Sequence, residues 1–275
     1  MKGGVGAELL VLRKRASTWI LLGIWTALAL AFAYVVPYVT YLNGSAPDSL
    51  AELLPERLVG TVLGGFPFFG GVLALMLGVL AFGSEYGWGT LRTLFTQRPG
   101  RLRIFGAKLL ALAIALVAFV LAVFGVAAIA GYAIAFREGV DVTWPSAWLL
   151  VRGLAAGWLV LAVWAAFGVL LAVVSRGTAL AVGVGILYGL VIEGLLSALA
   201  GQVSVLDGLV ELFLRASGYS LVTALGVSAE AVASNGPGSF SGPFVAGGQA
   251  LVILVSYAAV FLVLSGWLLR RRDVT

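Results

Sequence analysis

Apolar residues run along this chain in long blocks separated by short polar punctuation. Six blocks are long enough to cross about 30 Å of hydrocarbon, which takes roughly 20 helical residues. They lie near Trp19–Val39, Leu58–Phe82, Ala107–Phe136, Ala147–Val174, Thr178–Ala200 and Gln249–Leu269. The pattern predicts an all-α integral membrane protein of six transmembrane helices, with residues 1–275 forming a single transmembrane domain. The third and fourth blocks exceed the bilayer thickness, so those helices are expected to tilt or protrude. Only Ser175-Arg176-Gly177 parts the fourth block from the fifth, which predicts a tight helical hairpin.

Two stretches break the pattern. From Ser84 to Arg98, at 100° per residue, Trp88, Leu91, Leu94 and Phe95 gather on one side. Glu85, Tyr86, Thr90, Arg92, Thr93, Thr96 and Gln97 gather on the other. Such a helix lies along the inner membrane surface with its polar side offered to the cytoplasm. Gly87 and Gly89 each lower helix propensity by about 1 kcal/mol against alanine, which implies close backbone approach or a bend at the helix entry. Pro99-Gly100 ends the helix. Arg101, Arg103 and Lys108 are then expected to anchor the third span to anionic headgroups. A helix that merely joins two spans would show the same pattern. The second stretch is an insertion over residues 201–248. Asp207, Glu211 and Arg215 recur every four residues among Leu206, Leu209, Val210, Phe213 and Leu214, which predicts an amphipathic helix followed by a loop over Ser234–Pro243.

Composition agrees with the pattern. Hydrophobic residues make up 61% of the chain and charged residues 11%, against about 25% charged in soluble domains. The net charge of +5 does not imply a nucleic-acid partner, because the charges sit at the ends of apolar runs. One set of alternate loops holds Lys2, Arg13, Lys14, Arg15, Arg92, Arg98, Arg101, Arg103, Lys108, Arg176, Arg270, Arg271 and Arg272. The other holds Arg57, Arg137, Arg152 and Arg215, together with most of the acids. Basic residues favour the cytoplasmic side, so both termini are expected to be cytoplasmic. Arg13-Lys14-Arg15 ahead of an apolar run, with Ala31-Phe32-Ala33 following, also resembles a signal peptide. That run continues to Val39, however, and cleavage would leave an odd number of spans. Cysteine and histidine are absent, which removes disulfides, Cys/His metal sites and histidine-dependent catalysis.

Several residues within the spans stand out. Trp19, Tyr34, Tyr38, Trp144, Trp148 and Trp267 fall near span ends and fit interfacial aromatic belts. Gly60, Gly64, Gly65, Gly70 and Gly71 line the second span, and Gly185 and Gly189 the fifth. Small residues at this spacing let helix backbones approach, either within the chain or at a dimer or pore-lining face. Pro67 is expected to kink the second span. Glu193 is the acid set well inside a span, where ionisable groups are costly. Arg152 lies at a similar depth in the neighbouring fourth span, so an intramembrane Arg152–Glu193 pair is expected, with a structural or a gating role.

Glu85, Gly89-Thr90-Leu91-Arg92, Leu94, Pro99, Arg101 and Lys108 resemble the signature of ATP-binding cassette (ABC) exporter permeases of the six-helix, type-2 family. The resemblance extends to six spans with both ends inside, an N-terminal interfacial stretch (Met1–Arg15) and an external insertion before the last span. It implies that residues 84–98 form a coupling helix gripped by a separate ABC ATPase subunit, which carries the ATP and Mg. It further implies a second permease subunit, as homodimer or heterodimer, and short re-entrant helices in the insertion; a solvated surface helix is the alternative there. The chain has no G-x-x-x-x-G-K-[ST] loop and no soluble stretch large enough for an ATPase domain, so no catalytic, cofactor or metal residue is expected within it. The expected function is export of an unidentified, lipophilic substrate across a bacterial inner membrane by alternating access. A membrane enzyme is a weaker reading without His, Cys or a mid-membrane carboxylate pair. A non-transporting membrane scaffold or immunity protein would share the spans and the charge bias.

Overall fold

The computed structural model describes residues 2–45, 49–87, 100–199, 208–233, 240 and 242–271. Among them there is no strand. Six helices are long and apolar enough to cross a membrane: Ala16–Leu42, Phe66–Glu85, Leu102–Glu138, Ala147–Ser175, Ala179–Ser197 and Gly247–Arg271. The chain is a multi-pass, all-helical membrane protein with the six spans expected from its apolar blocks.

The second span departs from the expected bounds. Leu58–Leu63 is a short helix of its own, and a π-helical turn over Phe66–Gly70 precedes the regular helix Gly71–Gly87. Pro67 lacks an N–H and crowds the preceding turn. The local ladder widens, with the Gly70 N–H reaching the Gly65 carbonyl at 3.2 Å. The third span runs unbroken from Arg101 to Glu138, 38 residues or about 57 Å, so it projects well beyond the hydrocarbon.

The second and fourth spans form the centre: 72% and 61% of their most apolar stretches are buried, against 17–22% for the first, fifth and sixth. Glycine sets that central contact. A Cβ on Gly78 would run into the Ala165 carbonyl, and one on Gly168 into the Leu75 carbonyl, so the two backbones touch where neither has a side chain. Gly70 and Gly71 lie against the indole rings of Trp25 and Trp164 respectively, and Gly189 also meets Trp164. These glycines serve packing within the chain. The expected hairpin between the fourth and fifth spans turns on Arg176 in a left-handed conformation, φ 55°.

At the N-terminus, Lys2–Lys14 is helical and packs along the third span, burying Leu12. At the opposite end, the Tyr38 hydroxyl donates to Glu138 at 2.6 Å, tying the first span to the third. Trp19, Trp144, Trp148 and Trp267 are exposed as interfacial aromatics should be. Tyr34 is instead buried in the core.

The insertion differs most from expectation. Asp207 lies outside the described residues, and the continuous helix expected through Arg215 breaks in a turn at Glu211–Phe213. A new helix runs over Leu214–Thr223, and every residue from Leu214 to Val222 is buried. It wedges between the fourth and sixth spans and the Pro67 turn, where a Cβ on Gly218 would sit 3.1 Å from Pro67. A solvated surface helix is therefore not what this segment forms.

Candidate functional site

Two buried charge sites flank the membrane core, one at each end. The first gathers Glu8, Arg15, Glu85 and Lys108. Lys108 donates to Glu8 at 2.8 Å and to Glu85 at closer range. Its side chain is only 4% exposed, and that of Glu85 only 9%. Glu8, Arg15 and Lys108 line one small cavity, and the Arg15 guanidinium also donates to the Leu80 carbonyl at 2.8 Å. Two acids and two bases make the cluster neutral, so burying it leaves no net charge.

This geometry corrects two expectations. Glu85 was expected on the exposed polar face of an interfacial helix, but the second span continues through Gly87 and carries Glu85 inward. Lys108 was expected at lipid headgroups, but it faces the protein interior one turn or so below Arg103, which is exposed. Helical spacing explains the difference: Lys108 falls on the same face as buried Phe105, Ala111 and Leu112. Gly89, Thr90, Leu91, Arg92, Leu94 and Pro99 lie outside the described residues, as does most of the expected coupling helix. Arg101 begins the third span. Glu8 was not singled out from sequence, although it is the sole acid before the first span.

The second site is built around Glu193. The inward face of the fifth span is a strict stripe: Ala181, Gly185, Gly189, Glu193 and Ser197, all buried. A period of four overshoots the 3.6-residue turn by about 40° per step. A wider π-helical turn over Leu187–Ile192 takes up part of that drift and delivers Glu193 to the interior, fully buried. Its carboxylate accepts from the Leu214 N–H at 2.8 Å and the Arg215 N–H at 3.0 Å, and is hydrogen-bonded to Tyr188. Those two amides are the first of the helix Leu214–Thr223, whose own N-cap, Phe213, offers no capping side chain. Glu193 therefore caps a helix from a different segment, where amides are unpaired and the dipole favours an anion.

Arg215 supplies the compensating cation. Its side chain is buried, acts electrostatically on Glu193, and packs against the rings of Phe68 and Phe240 at 5.7 and 5.8 Å, a cation–π arrangement. The expected Arg152–Glu193 pair does not form. Arg152 is exposed and lines a groove on another side of the fourth span. Depth alone matched the two residues; azimuth around the helices separates them.

Two grooves open beside the helix Leu214–Thr223. One of about 380 Å³ is lined by Trp25, Phe32, Glu52, Thr61, Phe69 and Tyr219 among others. The other, about 640 Å³, lies between the fourth span, the buried helix and the sixth span. Among the described residues no group of three His, Cys, Asp or Glu could hold a metal ion.

The chain belongs to the family described as "Protein of unknown function (DUF2705)", which it matches over residues 19–275. No curated protein matches it.

Proposed function

We propose that this DUF2705-family chain is the membrane-spanning permease subunit of an ABC exporter in a bacterial inner membrane. It works as a homodimer or heterodimer with separate ATPase subunits, which bind ATP and Mg and dock beneath residues 84–98. The chain itself is not an enzyme. An unidentified lipophilic substrate crosses by alternating access.

The observation that carries this reading is the neutral cluster of Glu8, Arg15, Glu85 and Lys108. It lies at both roots of segment 88–99 and joins the N-terminal helix to the second and third spans. A force applied to that segment reaches three helices together instead of dissipating in a loop. The broad exposed apolar faces of the first, fifth and sixth spans also agree with a second membrane subunit, although lipid covers such faces equally well.

The test is affinity purification of the chain from its native membrane, with the co-purifying proteins identified and ATP hydrolysis measured. An ATPase subunit is expected in stoichiometric amount, and Arg92→Glu is expected to release it while the permease stays folded. A folded chain recovered with no ATPase refutes the proposal and leaves the scaffold or immunity reading.

A further inference from the structure

The geometry points to a phospholipid site centred on Arg152, with an anionic glycerophospholipid as its occupant. This inference stands apart from the transport reading. The fourth span has 29 residues, about 43 Å, against roughly 30 Å of hydrocarbon. Centred in the bilayer, it protrudes about 7 Å at each end. Arg152 lies five residues beyond Ala147, about 8 Å along the axis, which places it at the boundary of hydrocarbon and headgroups. Trp144 and Trp148, just before it in the chain, are exposed, as expected of an interfacial belt at that level.

Arg152 is exposed on a membrane-spanning helix, and among the described residues no carboxylate lies within ion-pairing distance of it. Glu193, the buried acid nearest in depth, is committed to the helix it caps. A cation at this level, without a carboxylate partner among the described residues, is open to a counter-ion from a lipid headgroup. The groove beside it supplies the other half of the match. Its walls are Ala155 and Leu159 of the fourth span, Leu221 and Leu225 around the buried helix, and Leu251 of the sixth. Among the described residues lining it, Arg152 is the one that carries a charge. A guanidinium at the headgroup level above an apolar groove of about 640 Å³ is complementary to a phosphate with an acyl chain beneath it. Arginine binds phosphate through two parallel N–H donors.

The test is native mass spectrometry of the full chain released from bilayers holding phosphatidylglycerol and phosphatidylcholine with identical acyl chains. The wild type is expected to retain the anionic lipid over the zwitterionic one by roughly fivefold. Arg152→Gln should abolish that preference, whereas Arg57→Gln, an exposed arginine outside the groove, should leave it intact. Gly248→Phe projects into the groove from a position with nothing within 4 Å of its Cβ and should lower retention of both lipids. A preference that survives Arg152→Gln overturns the proposal. So does equal loss in Arg57→Gln, which would mark a diffuse surface charge effect. The arginine comparison decides the matter whether or not Gly248→Phe folds.

Discussion

Removal of the Lys108 ammonium should rank with the most damaging single losses of charge among the described residues. Lys108 is shared between Glu8 and Glu85, and its side chain is almost fully enclosed. Lys108→Met keeps most of the volume but leaves two carboxylates facing each other without their common cation. Stranding a buried charge in this way costs about 3–5 kcal/mol. Arg15 lines the same small cavity and Glu8 is 19% exposed, so the lower end, about 3 kcal/mol, is the expected loss. Glu85→Gln should cost less, about 1–2 kcal/mol, because Lys108 keeps Glu8. The double variant Glu85→Gln/Lys108→Met removes one stranded carboxylate and should be more stable than Lys108→Met alone. Unfolding in mixed micelles titrated with SDS gives the four free energies, and the double-mutant cycle isolates the coupling between the pair. The reasoning is refuted if Lys108→Met unfolds within 0.5 kcal/mol of wild type, an approximate bound for surface substitutions, or if the double variant is additive. Either result would mean that water reaches the cluster.

At the opposite end, Glu193→Ala strands two helix-terminal amides and the Arg215 charge, and should cost about 2–4 kcal/mol. Glu193→Gln should cost less, because its carbonyl can still accept from one amide; limited proteolysis of the insertion reads the loosening directly. In the central helix pair, Gly168→Val would drive a side chain into the Leu75 carbonyl and should reduce stability by about 3 kcal/mol or more, seen as loss of the monodisperse peak on size exclusion. Gly125→Ala, with open space around it, should be neutral in the same assay. Since the chain lacks cysteine, topology can be read without background. Gly177→Cys should react with an impermeant maleimide only after the membrane is opened, and Ser45→Cys in intact cells.

Hydropathy alone carries the number of spans, their approximate bounds and the hairpin at Arg176, because a helix that must satisfy its backbone in lipid announces itself by length and apolarity. Charge placement along the loops carries the expected orientation. The packing role of the glycines was visible for the same reason: a missing side chain is a property of one residue. The inward stripe of the fifth span, spaced by four, was equally visible in the letters, with Glu193 as its charged member. What lay beyond one-dimensional reading was partnership. Arg152 and Glu193 match in depth, but depth is one coordinate of three, and the two side chains point around their helices in different directions. Glu193 instead meets backbone amides from a segment some twenty residues on, and a bare N–H has no signature in sequence. The Glu8–Lys108–Glu85 cluster joins residues a hundred positions apart, and a basic residue near a span end looks the same whether it faces headgroups or a carboxylate. Which of those two it meets depends on how the helices rotate against each other, and that is set by all of their contacts at once.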